Sequence, residues 1–308
     1  MNRGRILVTG AGGWLGSVFV EQLGERATPG VVALDRSGLD CADEVQVAEV
    51  LAEVRPTTVV HLAASLARGP GQHVVDAQWR DTFLAGRTVV QAAARLGVPH
   101  LVVLGTMEEL GDHSGVLTQD LPPAPRTFYG LWKSLVREVA HFETRITEGL
   151  RVDWARPTTV YGPGQRGNML VPAACAAGHA GRVAQFTSGE QRRDFLHVDD
   201  LVAWLTLAVD DRVSVGGERG FHLHHLGTGE GVPVRDVLQQ VADEFPGARF
   251  ELGALPRRPH EPPLQVAPAY DCPDPVLASW APAVGWQDGL KRTIEWWQGQ
   301  PEAVASAR

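Results

Sequence analysis

Apolar and polar positions follow two kinds of pattern along the first half of the chain. Short runs of consecutive apolar residues alternate with longer stretches in which apolar residues recur every three or four positions, which predicts buried strands separated by helices. The predicted strands lie at about residues 4–9, 31–35, 57–63, 100–106 and 150–156, and the predicted helices at about 14–24, 43–54, 74–96 and 129–148. Because strands joined through helices pair in parallel, the pattern predicts an α/β protein with a doubly wound parallel sheet.

The pattern loosens near residue 162, where Pro and Gly become dense. We therefore predict a cofactor-binding main domain over residues 1–161 and a smaller lobe mainly over residues 162–308. Residues 193–230 are expected to return to the main domain, since "GFHLHHLG" at 220–227 has the apolar character of another sheet strand.

Composition and charge limit the classes of partner. Hydrophobic residues make up 44% of the chain and charged residues 21%, as in ordinary globular proteins, and the net charge of -8 argues against nucleic acid or an anionic membrane. No apolar run is long enough to span a bilayer, and "MNRGRILVTG" lacks the features of a signal peptide. The dispersed Cys41, Cys175 and Cys272 form neither a zinc pattern nor a disulfide framework. We expect a cytoplasmic location.

The histidines of "HLHH", residues 222–225, invite a reading as metal ligands. In a strand His222 and His224 share one face while His225 points to the other, and no carboxylate or cysteine lies close in sequence. The pattern therefore predicts no metal site.

A glycine-rich turn, "TGAGGWLG" at residues 9–16, joins the first predicted strand to the first helix. Glycines three residues apart let the backbone approach a diphosphate, and the helix N-terminus supplies amides and a positive dipole. The turn predicts a dinucleotide site, whose residues are Gly10, Gly12, Gly13, Trp14, Leu15 and Gly16.

Asp35 ends the second predicted strand, where a carboxylate can accept hydrogen bonds from both hydroxyls of the adenosine ribose. The same carboxylate would repel a 2′-phosphate, which favours NAD. Arg36 leaves NADP open, because a guanidinium there can pair with that phosphate. Asp40 is predicted to bind the adenine amino group, with Cys41 beside it.

The segment "TFYGLWK", residues 127–133, places Tyr129 one helical turn before Lys133. A phenol has a pKa of ~10, and a nearby ammonium lowers it toward neutrality. We predict that Tyr129 is a general acid–base and that Lys133 also holds the nicotinamide ribose. Thr106 follows a strand and is predicted to bond the same reacting oxygen. A half-buried phenol and a lysine on an ordinary helix face would show the same spacing.

Several motifs occur together in one order along the chain: "TGAGGWLG" (9–16), "HLAAS" (61–65), "GTMEELG" (105–111), "YGLWK" (129–133), "RPTTVYGPG" (156–164) and "RRDFLHVDDL" (192–201). With them the chain resembles an extended short-chain dehydrogenase/reductase of the NAD-dependent epimerase/dehydratase family. The resemblance implies a Rossmann-type sheet with a smaller C-terminal substrate-binding lobe. It also implies a nucleotide-diphosphate sugar as substrate and a homodimer formed through the Tyr129 helix.

The resemblance further assigns residues by position. It implies that the cofactor is lined by Leu62, Ala63, Ala64 and Pro157. It implies substrate contacts at Thr159, at Asn168 and at Arg193, whose guanidinium would clamp the two phosphates.

One departure bears on the reaction. Dehydratases of the family carry an aspartic acid and a glutamate after the catalytic threonine, and this chain reads Thr106, Met107 and Glu108. Met107 cannot donate a proton to a leaving hydroxyl, although Glu108 can still act as a base. The sequence thus favours a 4-ketoreductase or a 4-epimerase. The alternatives are a 4,6-dehydratase and, in another class, an inactive cofactor-binding regulatory protein.

Overall fold

A six-stranded parallel sheet forms the centre of the protein. The computed structural model describes residues 4–28, 30–67, 69, 71–214 and 216–301. The strands are β1 (Ile6–Thr9), β2 (Val31–Leu34), β3 (Thr58–His61), β4 (His100–Leu104), β5 (Gly115–Val116), β6 (Arg151–Pro157), β7 (Thr159–Tyr161), β8 (Val183–Phe186), β9 (Arg192–Arg193), β10 (Phe195–His197), β11 (Gly220–Leu226), β12 (Val232–Pro233), β13 (Arg249–Leu252) and β14 (Leu264–Val266).

The helices include those predicted over 14–24, 43–54 and 129–148, each present to within two residues. The α-helices are α1 (Trp14–Glu25), α2 (Glu44–Val54), α3 (Gln72–Gln78), α4 (Ala85–Arg95), α5 (Phe128–Ile146), α6 (Leu170–His179), α7 (Val198–Ala208), α8 (Asp211–Ser214), α9 (Val234–Glu244) and α10 (Trp286–Gln298). Short 3₁₀ helices cover Met107–Leu110 and Leu277–Ser279. The helix predicted over 74–96 is interrupted in the structure. A π-helical segment, Trp79–Leu84, separates α3 from α4.

The central sheet has the order β2-β1-β3-β4-β6-β11. All of its pairs are parallel, and β11 runs beside β6 along its whole length. Because β1 lies between β2 and β3, the strand order reverses there and opens a crevice at the carboxyl ends of the strands, where ligands bind in such sheets.

Two apolar layers cover the sheet. One is built on α1 and α7, with Phe19 and Trp204 fully buried, and the other on α4 and α5, with Val89 and Val136. A third cluster, around Phe195 and other residues of the later chain, packs α6, α9 and α10 together. The division of domains at residue 161 stays a prediction. No helix within the described ranges is both long and apolar enough to cross a bilayer.

The histidines of "HLHH" have separate partners. His222 Nε2 lies 3.0 Å from the Glu218 carbonyl oxygen, His225 Nδ1 lies 2.6 Å from that of Leu117, and His224 Nε2 is 2.8 Å from Asp153. Burial opposes protonation of His224, but the hydrogen bonds and charges of Asp153 and Cys272 together outweigh it and raise the pKa of His224 to about 9. In the part of the chain that the structure describes, no group of three or more ligating side chains is placed to hold a metal ion.

Candidate active site

The glycine-rich turn is packed too tightly for side chains. Gly10 has a φ of 75°, and a Cβ atom there would stand 2.6 Å from the Ala63 amide nitrogen. A Cβ atom on Gly16 would overlap the carbonyl oxygen of Gly10. The turn leads into α1 through Gly13, whose extended backbone ends the loop. As at any helix N-terminus, the first amides of α1 have no partner within the helix, and they can therefore bind an anion such as a diphosphate.

Asp35 stands against this turn. A Cβ atom on Gly12 would lie 2.9 Å from the Asp35 Cβ and 3.4 Å from its Oδ2. The other carboxylate oxygen, Oδ1, accepts hydrogen bonds from the Ser37 hydroxyl at 2.6 Å, the Ser37 amide at 2.9 Å and the Gly38 amide at 3.2 Å. These bonds lower the pKa of Asp35 and hold the exposed carboxylate in one orientation.

Charged side chains link Arg36 to the π-helical segment. Arg36 Nη1 donates to Asp81 Oδ2 at 2.7 Å, and Arg80 Nη1 donates to Asp81 Oδ1 at 2.9 Å. Arg80 also forms an ion pair with Asp40. Cys41 is buried in the core beside this row, and burial raises the pKa of its thiol to about 11.

The other predicted cofactor residues belong to α1, to the segment that follows β3 and to the end of β6. The Leu62 amide donates to the Thr9 carbonyl oxygen at 3.1 Å, which carries the chain of β3 past the glycine turn. Trp14 Nε1 donates to the Pro163 carbonyl oxygen at 2.8 Å and ties α1 to the later chain. The remaining residues are partly buried or buried: Leu15, Ala63, Ala64 and Pro157.

Thr106 begins the 3₁₀ helix that follows β4. Its hydroxyl accepts from the Glu108 amide at 3.2 Å, and its own amide donates to Glu109 Oε1 at 3.1 Å, which together form a capping box. Thr106 is thus a strand-end cap. The bond to Glu108 uses an oxygen lone pair and leaves the hydroxyl proton available to a ligand.

Glu109 holds this segment onto the sheet. Its Oε2 accepts from Arg156 Nε at 2.9 Å and Nη2 at 2.7 Å, and its Oε1 accepts from Trp154 Nε1 at 3.0 Å. All three side chains are almost completely buried. Because both partners belong to β6, Glu109 locks the turn carrying Thr106 against the neighbouring strand.

The first turn of α5 is pressed against the same segment. The Thr127 hydroxyl accepts from the Gly130 amide at 3.0 Å and donates to Glu108 Oε2 at 2.6 Å. A Cβ atom on Gly130 would overlap the Glu108 carbonyl oxygen, which explains the glycine between Tyr129 and Lys133. The fold thereby brings the predicted Thr106 and Tyr129 to adjacent elements.

Lys133 and Tyr129 are both buried, with 3% and 7% of their surface exposed. Lys133 Nζ lies 6.0 Å from the centre of the Tyr129 ring and donates to the Leu104 carbonyl oxygen at 2.6 Å. Burial lowers the pKa of Lys133 to about 8, opposed by the charge of Glu109. A buried cation next to a phenol is the arrangement that favours a phenolate.

The predicted substrate residues lie on the later chain. Thr159 donates its amide to the Asp194 carbonyl oxygen at 3.0 Å, and Asn168 is exposed in the loop before α6. Arg193 Nη2 forms an ion pair with Glu261 at 3.0 Å. Within the described ranges, no hydrogen bond joins any two of the residues Thr159, Asn168 and Arg193.

Sequence reasoning missed the charges around Arg193. Burial lowers its pKa, and the positive charges of Arg257 and Arg258 lower it further. One oxygen of Glu261, Oε2, is buried without a hydrogen-bond partner among the described residues. The sequence signal was the pair of arginines that begins "RRPHEPP", residues 257–263. A loop sequence does not reveal which strand the loop will pack against, so it could not predict that these arginines lie near Arg193.

Known proteins resemble this chain over nearly its whole length. GDP-L-fucose synthase 1 of Arabidopsis thaliana is 26% identical over 95% of this chain and 93% of its own. The dTDP-glucose 4,6-dehydratase of Streptomyces antibioticus is 28% identical over 95% and 92%. The UDP-glucose 4-epimerase of Thermus thermophilus, solved in complex with NAD, is 25% identical with a TM-score of 0.80, covering 96% of this chain and 99% of that one.

The structural likeness confirms the predicted Rossmann-type doubly wound sheet. Residues 6–221 match the model of a family described as NAD dependent epimerase/dehydratase. This range contains the glycine turn, Thr106, Tyr129 and Lys133, and the match confirms the predicted class of enzyme. The chain belongs to the NAD dependent epimerase/dehydratase family.

Proposed function

We propose that this protein transfers hydride between NAD and C4 of a nucleotide-diphosphate sugar, as a 4-ketoreductase or a 4-epimerase. The observation that carries the proposal is the packing of the first turn of α5, with Tyr129 and Lys133, against the Thr106 turn at the carboxyl edge of the sheet. The similar proteins named above act on or make sugars linked to GDP, UDP or dTDP.

The residues at the crevice fit NAD, the cofactor that the family name carries. The turn can pack this closely only with glycine at positions 10 and 16, where a Cβ atom would meet the backbone of Ala63 or of Gly10, and a tight turn of this kind is what places backbone amides against a diphosphate. Asp35 is held with Oδ2 toward the turn, where it can accept from ribose hydroxyls. When bound, NAD supplies the site that accepts or returns hydride.

Tyr129 moves the proton that accompanies the hydride. A C4 hydroxyl loses its proton to the phenolate during oxidation, and a C4 ketone gains one from the phenol during reduction. The Lys133 ammonium stabilises the phenolate, and the Leu104 carbonyl oxygen fixes its position. Thr106 donates its free hydroxyl proton to the same C4 oxygen and orients it.

Dehydration is disfavoured even though a dehydratase is among the similar proteins. Loss of water needs an acid beside the leaving hydroxyl, and the thioether of Met107 cannot supply a proton. The neighbouring Glu108 carboxylate is engaged by the Thr127 hydroxyl at 2.6 Å.

The two remaining reactions differ in how they use the cofactor. An epimerase must return the hydride to the same sugar and therefore retains its NAD, whereas a reductase exchanges its cofactor in each turnover. Mass spectrometry of the denatured purified protein, followed by assays of UDP-, GDP- and dTDP-sugars and their 4-keto forms, separates them. Failure to interconvert or reduce any of these sugars would contradict the proposal.

Arg193→Ala should weaken sugar-nucleotide binding by about 1.5–3 kcal/mol, the scale of a hydrogen bond to a charged group. Arg193 is paired with Glu261, and the positive charges of Arg257 and Arg258 are near enough to lower its pKa, so a diphosphate at Arg193 would meet more than one guanidinium group. Isothermal titration with UDP, GDP and dTDP measures the change, and NADH affinity should stay nearly constant. Arg212→Ala, at an exposed arginine paired with Asp210, is the control. Equal loss of both affinities would instead assign Arg193 to the fold.

Lys133→Met should remove a pH dependence of stability. Burial lowers the pKa of Lys133 to about 8, so between about 8 and ~10.4 the unfolded chain binds the extra proton. The stability of the unaltered protein should therefore rise through this window, by up to about 3 kcal/mol at about 1.4 kcal/mol per pKa unit. Urea unfolding at pH 7 and pH 10 measures it. An equal rise in the free energy of unfolding of Lys133→Met would contradict the lowered pKa of Lys133.

We infer that the protein is a homodimer through one face of α5. The apolar residues of this face, the α5 stripe, are Phe128, Trp132, Leu135, Val139, Phe142 and Ile146. Their spacing alternates between four and three residues, as in helix-helix seams. Phe142 is 55% exposed and Ile146 61%, which is costly for a monomer in water. A two-fold axis would cover the stripe with its own copy.

Phe142→Asp should convert the protein to a monomer, because a carboxylate within this apolar seam would be buried without a counter-charge. Sedimentation equilibrium measures the mass. Val45→Asp, at a residue 66% exposed on α2, should leave the dimer intact. A dimer that survives Phe142→Asp would place the interface elsewhere.

A further inference from the structure

Asp81 lies between two arginines beside the candidate adenosine site. Its Oδ2 accepts from Arg36 at 2.7 Å and its Oδ1 from Arg80 at 2.9 Å, so both carboxylate oxygens are engaged. Arg80 in turn pairs with Asp40. The four side chains alternate in charge along the edge of the crevice that Asp35 occupies.

Arg36 alone would make this edge suitable for a 2′-phosphate. It directly follows Asp35, and a guanidinium is the side chain best suited to a phosphate. Its hydrogen bond to Asp81 instead occupies the guanidinium, which is then not available to a 2′-phosphate. A 2′-phosphate would have to replace Asp81 as the partner of Arg36 and would also meet the negative charge of Asp81.

Burial and a second arginine hold Asp81 in this position within the π-helical segment. Asp81 is three-quarters buried along its side chain, whereas the Arg36 side chain is 64% exposed. Arg80, its neighbour in the segment Trp79–Leu84, is anchored by Asp40 and holds the second carboxylate oxygen. Asp81 is therefore the enclosed member of the pair, held by two partners, and Arg36 is the exposed member.

We propose that Asp81 is a specificity-determining residue that holds Arg36 away from the ribose and thereby selects NAD over NADP. The inference rests on the proposed cofactor site. Asp81, an acid far from Asp35 in the sequence, would thus contribute to the preference for NAD that is otherwise assigned to Asp35 alone. It also resolves the conflict between Asp35 and Arg36 that their adjacency creates.

Asp81→Asn should shift the ratio of NADPH to NADH affinity roughly tenfold toward NADPH, the scale of one charge-assisted hydrogen bond gained by a phosphate. Titration with each cofactor, followed by the fluorescence of the reduced nicotinamide, measures both constants without turnover. NADH affinity should change little, since Asp35 is untouched. Asp81→Ser should give the same shift and guards against an effect particular to asparagine.

Two further variants identify the group responsible. Combining Asp81→Asn with Arg36→Ala should abolish the gain, because the released arginine is then missing. Asp76→Asn, at an exposed acid that accepts from Gln72 one helix earlier, should leave the ratio unchanged.

An unchanged ratio in Asp81→Asn, or a gain that persists in the double variant, would overturn the proposal while NADH binding remains intact. Absence of NADH binding by the unaltered protein would instead overturn the proposed function together with this inference. The two failures are therefore distinguishable in one set of titrations.

Discussion

Tyr129→Phe should lower turnover of the sugar nucleotide by roughly 10²–10⁴, the range for loss of a general acid–base group. The change keeps the ring and its packing but removes the proton that must move with the hydride. Lys133 and the glycine turn remain, so NADH binding should persist. Single-turnover measurement of cofactor absorbance gives the rate, and a fluorescence titration gives the affinity.

Tyr161→Phe is the matched control. Tyr161 is also buried, but its hydroxyl donates to the Trp286 carbonyl oxygen at 2.9 Å, away from the crevice. This variant should lose about 1 kcal/mol of stability, as for one net hydrogen bond, and keep its turnover. A Tyr129→Phe protein with nearly unaltered turnover would return Tyr129 to the role of a packed helix-face residue.

The pH dependence offers a second readout on Tyr129. In the unaltered protein the positive charge of Lys133 should let a group titrate well below the ~10 of a free phenol. The corresponding limb of the rate profile should be absent from Tyr129→Phe. A limb that is identical in both proteins would belong to another group.

Glu109→Ala should destabilise the protein by about 3–5 kcal/mol, the cost of removing one partner from a buried ion pair. Arg156 would be left buried with its main counter-charge gone, since its Nε and Nη2 both donate to Glu109. Denaturant unfolding measures the loss. Turnover at a temperature where the variant is folded should also fall, because the Thr106 turn loses its anchor to β6.

Glu138→Ala is the control for this second prediction. Glu138 is 56% exposed, and its partner Arg137, 13% exposed, also lies 3.6 Å from Glu109. Arg137 therefore keeps a counter-charge when Glu138 is removed, and the loss should cost at most about 1 kcal/mol. Similar losses for Glu109 and Glu138 would show that the buried network contributes little to stability.

The sequence by itself determined the elements whose causes are local. Apolar periodicity predicted the strands and helices of the parallel sheet, and the glycine spacing after β1 predicted a turn that the structure shows to be closed to side chains. The spacing of Tyr129 and Lys133 placed both on the first turns of α5. Each of these patterns depends on a few residues close together in the chain and can therefore be recognised in the sequence.

The tertiary structure decided the relations between residues far apart in the chain. Glu109 meets Arg156 across 47 positions and Arg36 meets Asp81 across 45, and neither pair has a local signature. The partner of Arg193 is Glu261, 68 positions away, rather than a neighbouring acid such as Asp194. Ion pairs need only opposite charge and proximity, and the order of strands supplies the proximity. For that reason the sequence predicted the chemistry of the crevice, and the fold determined what holds it.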